Sequence, residues 1–140
     1  MVAREAETVM RRYWEEGWNQ RKWATIDEVV AENHVDHNAL PGLPAGREGQ
    51  KALMSTYFTA FPDLKIVTED ILVDGENVVT RWTAIGTHNG PLMGIPPSGK
   101  SMKVAGISID RVINGQMVEG WYQFDALGMF QQVGAIPAIA

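Results

Sequence analysis

Hydrophobic residues recur at helical spacing through the first part of the chain. One apolar stripe predicts a helix over residues 5–19, and a shorter pattern predicts a second helix over residues 25–32, with Thr25 as its N-terminal cap. Residues 33–45 contain two prolines and a glycine and predict a loop. The clearest helical pattern covers residues 47–61, and the proline that follows ends this helix.

Alternation of hydrophobic and polar positions replaces the helical spacing in the second part of the chain. This alternation predicts strands over residues 64–68, 71–73, 77–88, 102–113 and 117–124. Asn114 and Gly115 predict a tight hairpin between the last two strands. Asp125 then precedes a short predicted helix over residues 126–133, which its side chain can cap.

The order of these elements indicates the fold class. Helices followed by a run of long strands favour an α+β domain over an alternating α/β domain. The chain has 140 residues, which is a usual length for one domain, so a single domain over residues 1–140 is predicted. A strongly curved antiparallel sheet that wraps around the N-terminal helices fits this order and leaves a pocket between sheet and helices.

Composition and charge remove several classes of function. The chain has 12 lysine and arginine residues against 17 aspartate and glutamate residues, so neither a nucleic acid nor an anionic membrane is expected as a partner. It has no cysteine, which excludes disulfides, thiolate catalysis and thiolate zinc sites. No apolar run reaches the length of a membrane span, and the N-terminus lacks an apolar signal core, so a cytoplasmic protein is predicted.

Three segments carry a resemblance to a known family. They read AFPDLKI, RWTAIGTHNGPLMGIPPSGK and VAGISIDRVINGQMVEGWYQFDALGMFQQVG. Together they closely resemble the SnoaL-like polyketide cyclases, often labelled ester cyclases, of the nuclear-transport-factor-2-like superfamily. The resemblance covers nearly the whole chain and implies a cone-shaped SnoaL-like α+β barrel.

The resemblance also implies an activity. The best-understood members close the last ring of an aromatic polyketide by an intramolecular aldol condensation, with no metal and no cofactor. The substrate implied here is therefore an apolar small molecule that contains carbonyl groups, and the chemistry is proton transfer at a carbon next to them. Two alternatives stay open, a non-catalytic small-ligand-binding domain and an epoxide hydrolase on the same fold. The hydrolase motif expects an aspartate where this chain has Thr83, two residues after Arg81.

Three positions of this chain correspond to a catalytic aspartate and two histidines of the characterised cyclases. These positions hold Tyr122, Gly120 and Ser108. Tyr122 is predicted to be catalytic, because a phenol can donate a hydrogen bond to an enolate or alkoxide oxygen. The alternative is a core tyrosine whose hydroxyl group bonds the backbone.

Two further residues are catalytic candidates, Asp125 and His37. Asp125 matches an aspartate that many family members keep and could act as a base, although capping of the next helix is the stronger interpretation. His37 matches a histidine near the pocket mouth of many members, where it either acts as a general base or fixes the loop. Asp110 lies beside Arg111 and is expected in a solvated ion pair.

A second group of residues is predicted to bind the substrate. Trp14 and Trp18 lie one turn apart on the first helix, where they either pack in the core or stack on a flat ligand. The other predicted ligand-binding residues are His34, Phe58, Ser108 and Phe124.

The spacing of His34 and His37 also invites a metal interpretation, with Asp36 or His88 as a further ligand. No helix presents the two histidines on one face, and the resembled family is metal-free, so no metal and no cofactor are predicted.

The family's sheets usually pair through their outer faces. Apolar residues on that face, Ile107, Ile109 and Trp121, therefore predict a homodimer.

Overall fold

A computed structural model describes residues 2–137, so residues 1 and 138–140 of the domain predicted over 1–140 lie outside the described part. Within the described residues, the helices are α1 (Val2–Arg12), α2 (Trp23–Val29), α3 (Gly46–Ala60) and α4 (Ala126–Gln132). The strands are β1 (Val30–Asp36), β2 (Lys65–Asp74), β3 (Asn77–Thr87), β4 (Ser101–Ile113) and β5 (Gln116–Phe124). No helix within residues 2–137 combines the length and the apolar character needed to cross a membrane.

The five strands form one mixed sheet in the order β1-β5-β4-β3-β2. Strands β2 to β5 pair antiparallel, as predicted, and β1 adds a parallel edge beside β5. The α+β class is confirmed, with two corrections of detail: the sheet is not wholly antiparallel, and within the described residues its edges β1 and β2 do not pair to close a barrel.

Strand β1 is the element that the sequence pattern missed. The second helix was predicted to continue to residue 32 and to lead into a loop, but helix α2 ends at Val29 and β1 follows directly. The burial of β1 does not alternate, and its register with β5 is interrupted between Val30 and Val35. A strand without a period of two gives no strand signal in the sequence.

Strand β2 is continuous where two short strands were predicted. Its register with β3 shifts between Thr68 and Asp70, which marks a β-bulge at this point. The bulge reverses the alternation of side chains, so the pattern breaks although the strand does not. The hairpin predicted at Asn114 and Gly115 is confirmed, because both residues adopt positive φ angles, +51° and +78°.

The first helix changes its winding halfway. After α1, residues Tyr13–Asn19 form a π-helical segment. Tyr13, Trp14 and Trp18 are all buried here, because the wider turn brings more side chains to one face. Thr25 does not cap α2 as predicted: it lies inside the helix, and its hydroxyl donates to Glu16 Oε1 at 2.9 Å.

The helices lie on one face of the sheet. Helix α1 contacts β2, β3 and β4, while α3 contacts β1. Strand β4 alternates cleanly between buried and exposed positions, so one of its faces meets the helices and the other meets solvent. The core between them leaves a cavity under the π-helical segment.

Candidate active site

The cavity has an aromatic wall built from the π-helical segment, the sheet and α3. Trp14 stacks near Trp18 with a centroid distance of 6.4 Å and near Trp82 at 5.9 Å, and Phe124 continues the row 6.3 Å from Trp82. The structure therefore brings three of the predicted ligand-binding residues, Trp14, Trp18 and Phe124, to one cavity. Most of the remaining lining is aliphatic, including Leu53, Leu64, Ile66, Ala84, Met102 and Val104.

Phe58 lies outside this lining. Its ring packs edge-on against Trp18 at 5.6 Å, and the Arg21 guanidinium lies 4.4 Å from the centre of the ring. Its neighbour Tyr57 lines the cavity instead. Phe58 thus packs against Trp18 and does not bind the substrate directly as predicted, since the neighbouring Tyr57 takes the position in the lining.

The hydroxyl groups at the polar end of the cavity come from two neighbouring strands. Ser108 of β4 and Tyr122 of β5 are direct partners in the sheet, and both line the cavity. The Ser108 hydroxyl accepts a hydrogen bond from the Trp82 indole at 2.9 Å, which fixes the aromatic wall. The predicted catalytic Tyr122 and the predicted ligand-binding Ser108 therefore lie side by side.

Tyr122 is bonded to two side chains behind the cavity wall. Its hydroxyl donates to Asp110 Oδ1 at 2.8 Å and lies 3.3 Å from His34 Nε2. The bare backbone of Gly120 permits this arrangement, because a Cβ atom there would lie 2.1 Å from the Tyr122 hydroxyl and 2.7 Å from Asp110 Oδ1. Tyr122 is a half-buried tyrosine whose hydroxyl bonds side chains, not the backbone.

Asp110 is fully buried, and the solvated ion pair expected with Arg111 does not form. Arg111 points to the other face, where it donates to Glu119 Oε1 at 3.0 Å. Oδ2 of Asp110 has no hydrogen-bond partner among the described residues. Burial raises the pKa of Asp110 to about 7. The alternation of β4 indicates that Asp110 shares the face of Ser108. The ion-pair prediction was wrong because it relied on the adjacent Arg111 and not on this alternation.

Asp36 is a carboxylate that lines the cavity, and its sequence context predicted no role for it beyond metal binding. It is half-buried at the end of β1. Oδ2 accepts from Gln50 Nε2 at 3.3 Å, and Oδ1 accepts from the Asn38 backbone N–H at 2.8 Å. Burial raises its pKa, because the charged form loses solvation. Tyr13 completes this group by donating to Gln50 Oε1 at 3.0 Å.

His34 is buried behind Tyr122 and does not itself line the cavity. Burial lowers the pKa of its imidazole to about 4, so the ring is neutral at neutral pH. Within residues 2–137, the hydrogen-bond contact of the His34 side chain is with the Tyr122 hydroxyl.

The other two catalytic candidates, His37 and Asp125, lie away from the cavity lining. The His37 ring stacks on Trp121 at a centroid distance of 4.5 Å, and its Nε2 lies 3.2 Å from Glu119 Oε2. Asp125 is exposed and caps α4, since its Oδ1 accepts from the Gly128 N–H at 2.8 Å. The capping interpretation of Asp125 matches this geometry.

Residues considered for other chemistry are also occupied elsewhere. His88 is buried under the loop after β3 and bonds Ser98 through Nδ1 at 2.9 Å. Arg81, the arginine considered for an epoxide hydrolase, donates to Asp70 on the exposed side of β3 at 2.7 Å, and no arginine of residues 2–137 lines the cavity. Within residues 2–137, no three histidine or carboxylate side chains cluster in a way that could hold a metal ion.

Comparison with known proteins agrees with this fold. The model of the family described as SnoaL-like polyketide cyclase matches residues 8–133. No curated protein matches the chain.

Solved structures give the same result. TsrD from Streptomyces laurentii is similar with a TM-score of 0.87 and 26% identity, covering 97% of this chain and 99% of that one. A SnoaL-like protein from Jannaschia sp. CCS1 gives a TM-score of 0.85 and 28% identity over 97% and 96% of the two chains. IdmH from Streptomyces antibioticus, described as a proposed polyketide cyclase, gives a TM-score of 0.81 and 31% identity over 92% and 98%.

Proposed function

Since this chain belongs to the SnoaL-like polyketide cyclase family, we propose that it is an enzyme that closes a ring in an apolar, carbonyl-containing small molecule by proton transfer. One observation carries this proposal: a carboxylate with a raised pKa, Asp36, and a phenol, Tyr122, line the same largely apolar cavity. Such a pair can remove a proton at carbon and stabilise the oxygen that becomes negative.

The aromatic wall supports a flat, apolar substrate. Trp14, Trp82 and Phe124 present ring faces and edges within one row, on which a planar molecule can stack. The indole N–H groups of Trp14 and Trp82 already bond Thr80 and Ser108, so they do not require a polar substrate group. The substrate's carbonyl groups would face the polar end of the cavity.

Asp36 is the proposed base. A C–H group between two carbonyls is already acidic, so a positioned carboxylate is sufficient to remove its proton and no cofactor is required. The Gln50 amide and the Asn38 backbone N–H hold the two carboxylate oxygens in place. The raised pKa brings this base nearer to neutral pH, which makes it a stronger proton acceptor when ionised.

Tyr122 is the proposed proton donor. When the enolate carbon attacks a second carbonyl carbon, the π electrons of that carbonyl move to its oxygen, which becomes an alkoxide. A hydroxyl group at the cavity wall can donate to this oxygen as the charge develops. Loss of one such donor typically lowers turnover by about 10²–10³.

A non-catalytic ligand-binding domain is the second candidate. It is favoured by the hydrogen bond from Tyr122 to Asp110, because this bond directs the phenolic proton away from the cavity. A domain of this kind would bind the same flat molecules and would leave their C–H protons in place.

Hydrogen–deuterium exchange separates the two candidates. The substrate is 2-acetyl-1-tetralone, a flat aromatic 1,3-dicarbonyl, and exchange at the carbon between its carbonyls is followed by NMR. We expect the protein to accelerate exchange, and Ala84→Leu to block it by filling the cavity. The matched control is Ala105→Leu, on the exposed face of the neighbouring strand, which should keep full activity. Binding of the compound without accelerated exchange would favour the ligand-binding domain.

A further inference from the structure

Three titratable side chains meet behind the polar end of the cavity, and only one of them reaches it. Tyr122 lines the cavity, while Asp110 and His34 lie behind it, 0% and 3% exposed. Asp110 Oδ1 lies 2.8 Å from the Tyr122 hydroxyl oxygen, and His34 Nε2 lies 3.3 Å from it. The direction of the phenolic proton is therefore determined by its two buried neighbours.

A tyrosine hydroxyl has one proton and two acceptor sites. When Asp110 is ionised it can only accept, so the Tyr122 proton bonds to Oδ1 and points away from the cavity. In this state a ligand oxygen in the cavity finds no donor at Tyr122.

Protonation of Asp110 reverses this bond. A protonated Oδ1 donates to the phenolic oxygen and fills one of its acceptor sites. His34 fills the other acceptor site of the phenolic oxygen by donating from Nε2–H. The proton is assigned to Nε2 because Nδ1 has no partner among the described residues, so a proton on Nδ1 would be a buried N–H without an acceptor. With both acceptor sites filled, the phenolic O–H group points toward the cavity.

We propose that Asp110 is a positioning residue whose protonated form directs the Tyr122 hydroxyl proton into the cavity, while His34 occupies the remaining acceptor site on the phenolic oxygen. This inference rests on the proposed function, because it is the substrate's developing alkoxide that receives the bond.

The surroundings of Asp110 make its neutral form accessible. Oδ2 has no hydrogen-bond partner within residues 2–137, so one of the two carboxylate oxygens would carry its share of the charge unpaired and buried, which makes the ionised form costly. The titratable groups that face the pair are Tyr13 of the π-helical segment, and His34 and Asp36 of β1. None of these is positively charged at neutral pH, since the pKa of His34 is lowered to about 4.

The proton balance of ring closure follows from this arrangement. Asp36 takes the proton from carbon, Tyr122 gives its proton to the alkoxide, and Asp110 gives its proton to the Tyr122 oxygen. The substrate thus loses one proton at carbon and gains one at oxygen. Asp36 then releases its proton to solvent, and Asp110 regains one through Tyr122, which restores the starting state.

Infrared spectroscopy of the unliganded protein tests the protonation of Asp110 directly. We expect a protonated-carboxyl C=O band that disappears as the pH rises through neutrality, is absent in Asp110→Asn and persists in Asp36→Asn. In Tyr122→Phe the band should persist to higher pH, because the hydrogen bond from Tyr122 stabilises the ionised form. The inference would be overturned if Asp110 gives no such band at neutral pH, or if the pH at which the band disappears is the same in Tyr122→Phe as in the wild type.

Binding of 2-acetylnaphthalene tests the direction of the Tyr122 proton, because this flat ketone offers a single acceptor oxygen. In the wild type we expect affinity to fall roughly tenfold as Asp110 ionises, the worth of one hydrogen bond. Asp110→Asn and Tyr122→Phe should both give pH-independent affinities. Wild-type affinity that does not change with pH would contradict the inference and leave the proposed function intact. Absence of binding in every variant would instead count against the proposed substrate class, and the infrared result would still decide the role of Asp110.

Discussion

Oδ2 of Asp36 accepts a hydrogen bond from Nε2 of Gln50 at 3.3 Å, so helix α3 holds the proposed base at the cavity wall. Oε1 of the same amide accepts a hydrogen bond from the Tyr13 hydroxyl at 3.0 Å. One buried glutamine thus connects the π-helical segment, α3 and the end of β1.

Replacing this glutamine should change the pH dependence of the enzyme. The Gln50 bond lowers the pKa of Asp36, so Gln50→Met should raise that pKa. The acidic limb of the kcat/KM profile should then move to higher pH, because the base works only when ionised. The substitution also leaves the buried Tyr13 hydroxyl unpaired, which should lower the free energy of unfolding by about 1–3 kcal/mol. An unmoved acidic limb would mean that Asp36 is not the base.

Gly120 is expected to be essential for activity, because the Tyr122 ring occupies the space where a side chain at position 120 would lie. In Gly120→Ala the new methyl group would lie 2.1 Å from the Tyr122 hydroxyl, so the ring has to move. We expect the exchange rate to fall with the loss of the donor, and stability to fall by about 1–3 kcal/mol, as for other overpacked sites. Exchange kinetics and thermal melting measure the two effects. Full activity in Gly120→Ala would show that the position of the Tyr122 hydroxyl does not matter.

Burial of Asp110 predicts how stability depends on pH. Its folded-state pKa, about 7, lies above the value of 3.8 expected for an exposed carboxyl. A raised folded-state pKa contributes stability that is present at low pH and is lost as the pH rises toward 7. Asp110→Asn lacks this loss, so the melting temperature of the wild type should fall relative to that of Asp110→Asn between about pH 4 and pH 7. A difference in melting temperature between the two proteins that stays constant from about pH 4 to pH 7 would show that Asp110 is ionised in the folded state.

The outer face of the sheet is predicted to pair with a second copy of the chain. Ile107, Ile109 and Trp121 are 52%, 40% and 39% exposed there. Sedimentation velocity should show a dimer at micromolar concentration and a monomer for Ile107→Lys. Leu127→Lys is the matched control, because Leu127 is 48% exposed on α4, outside the sheet. A wild-type monomer would contradict the prediction, and so would an Ile107→Lys variant that stays dimeric.

Sequence patterns predicted most of the fold because most elements keep a regular period. Strand β4 alternates along nearly its whole length, and the hairpin at Gly115 uses a common turn. The pattern failed where the backbone is irregular. Strand β1 has a register break, and residues Tyr13–Asn19 wind as a π-helix, which has no distinct sequence signal.

The site was predictable only in part, for reasons of context. The aromatic residues Trp14 and Trp18 and the pair of Ser108 and Tyr122 could be placed by periodicity and by the family resemblance. The role of Asp36 depends on β1, the strand that the pattern missed. Without that strand, nothing in the sequence indicates that its carboxylate points into the cavity.

We expect Asp36, and not another carboxylate, to remove the substrate proton. The rate of deuterium exchange into 2-acetyl-1-tetralone, compared between Asp36→Asn and Asp125→Asn, tests this assignment. Both substitutions remove one acid, and Asp125→Asn keeps its oxygen at the cap of α4. We predict that Asp36→Asn lowers the exchange rate by at least about 10², the contribution of a positioned base, and that Asp125→Asn keeps the wild-type rate. Full exchange activity in Asp36→Asn would show that Asp36 is not the base, and loss of activity in Asp125→Asn would assign that role to Asp125.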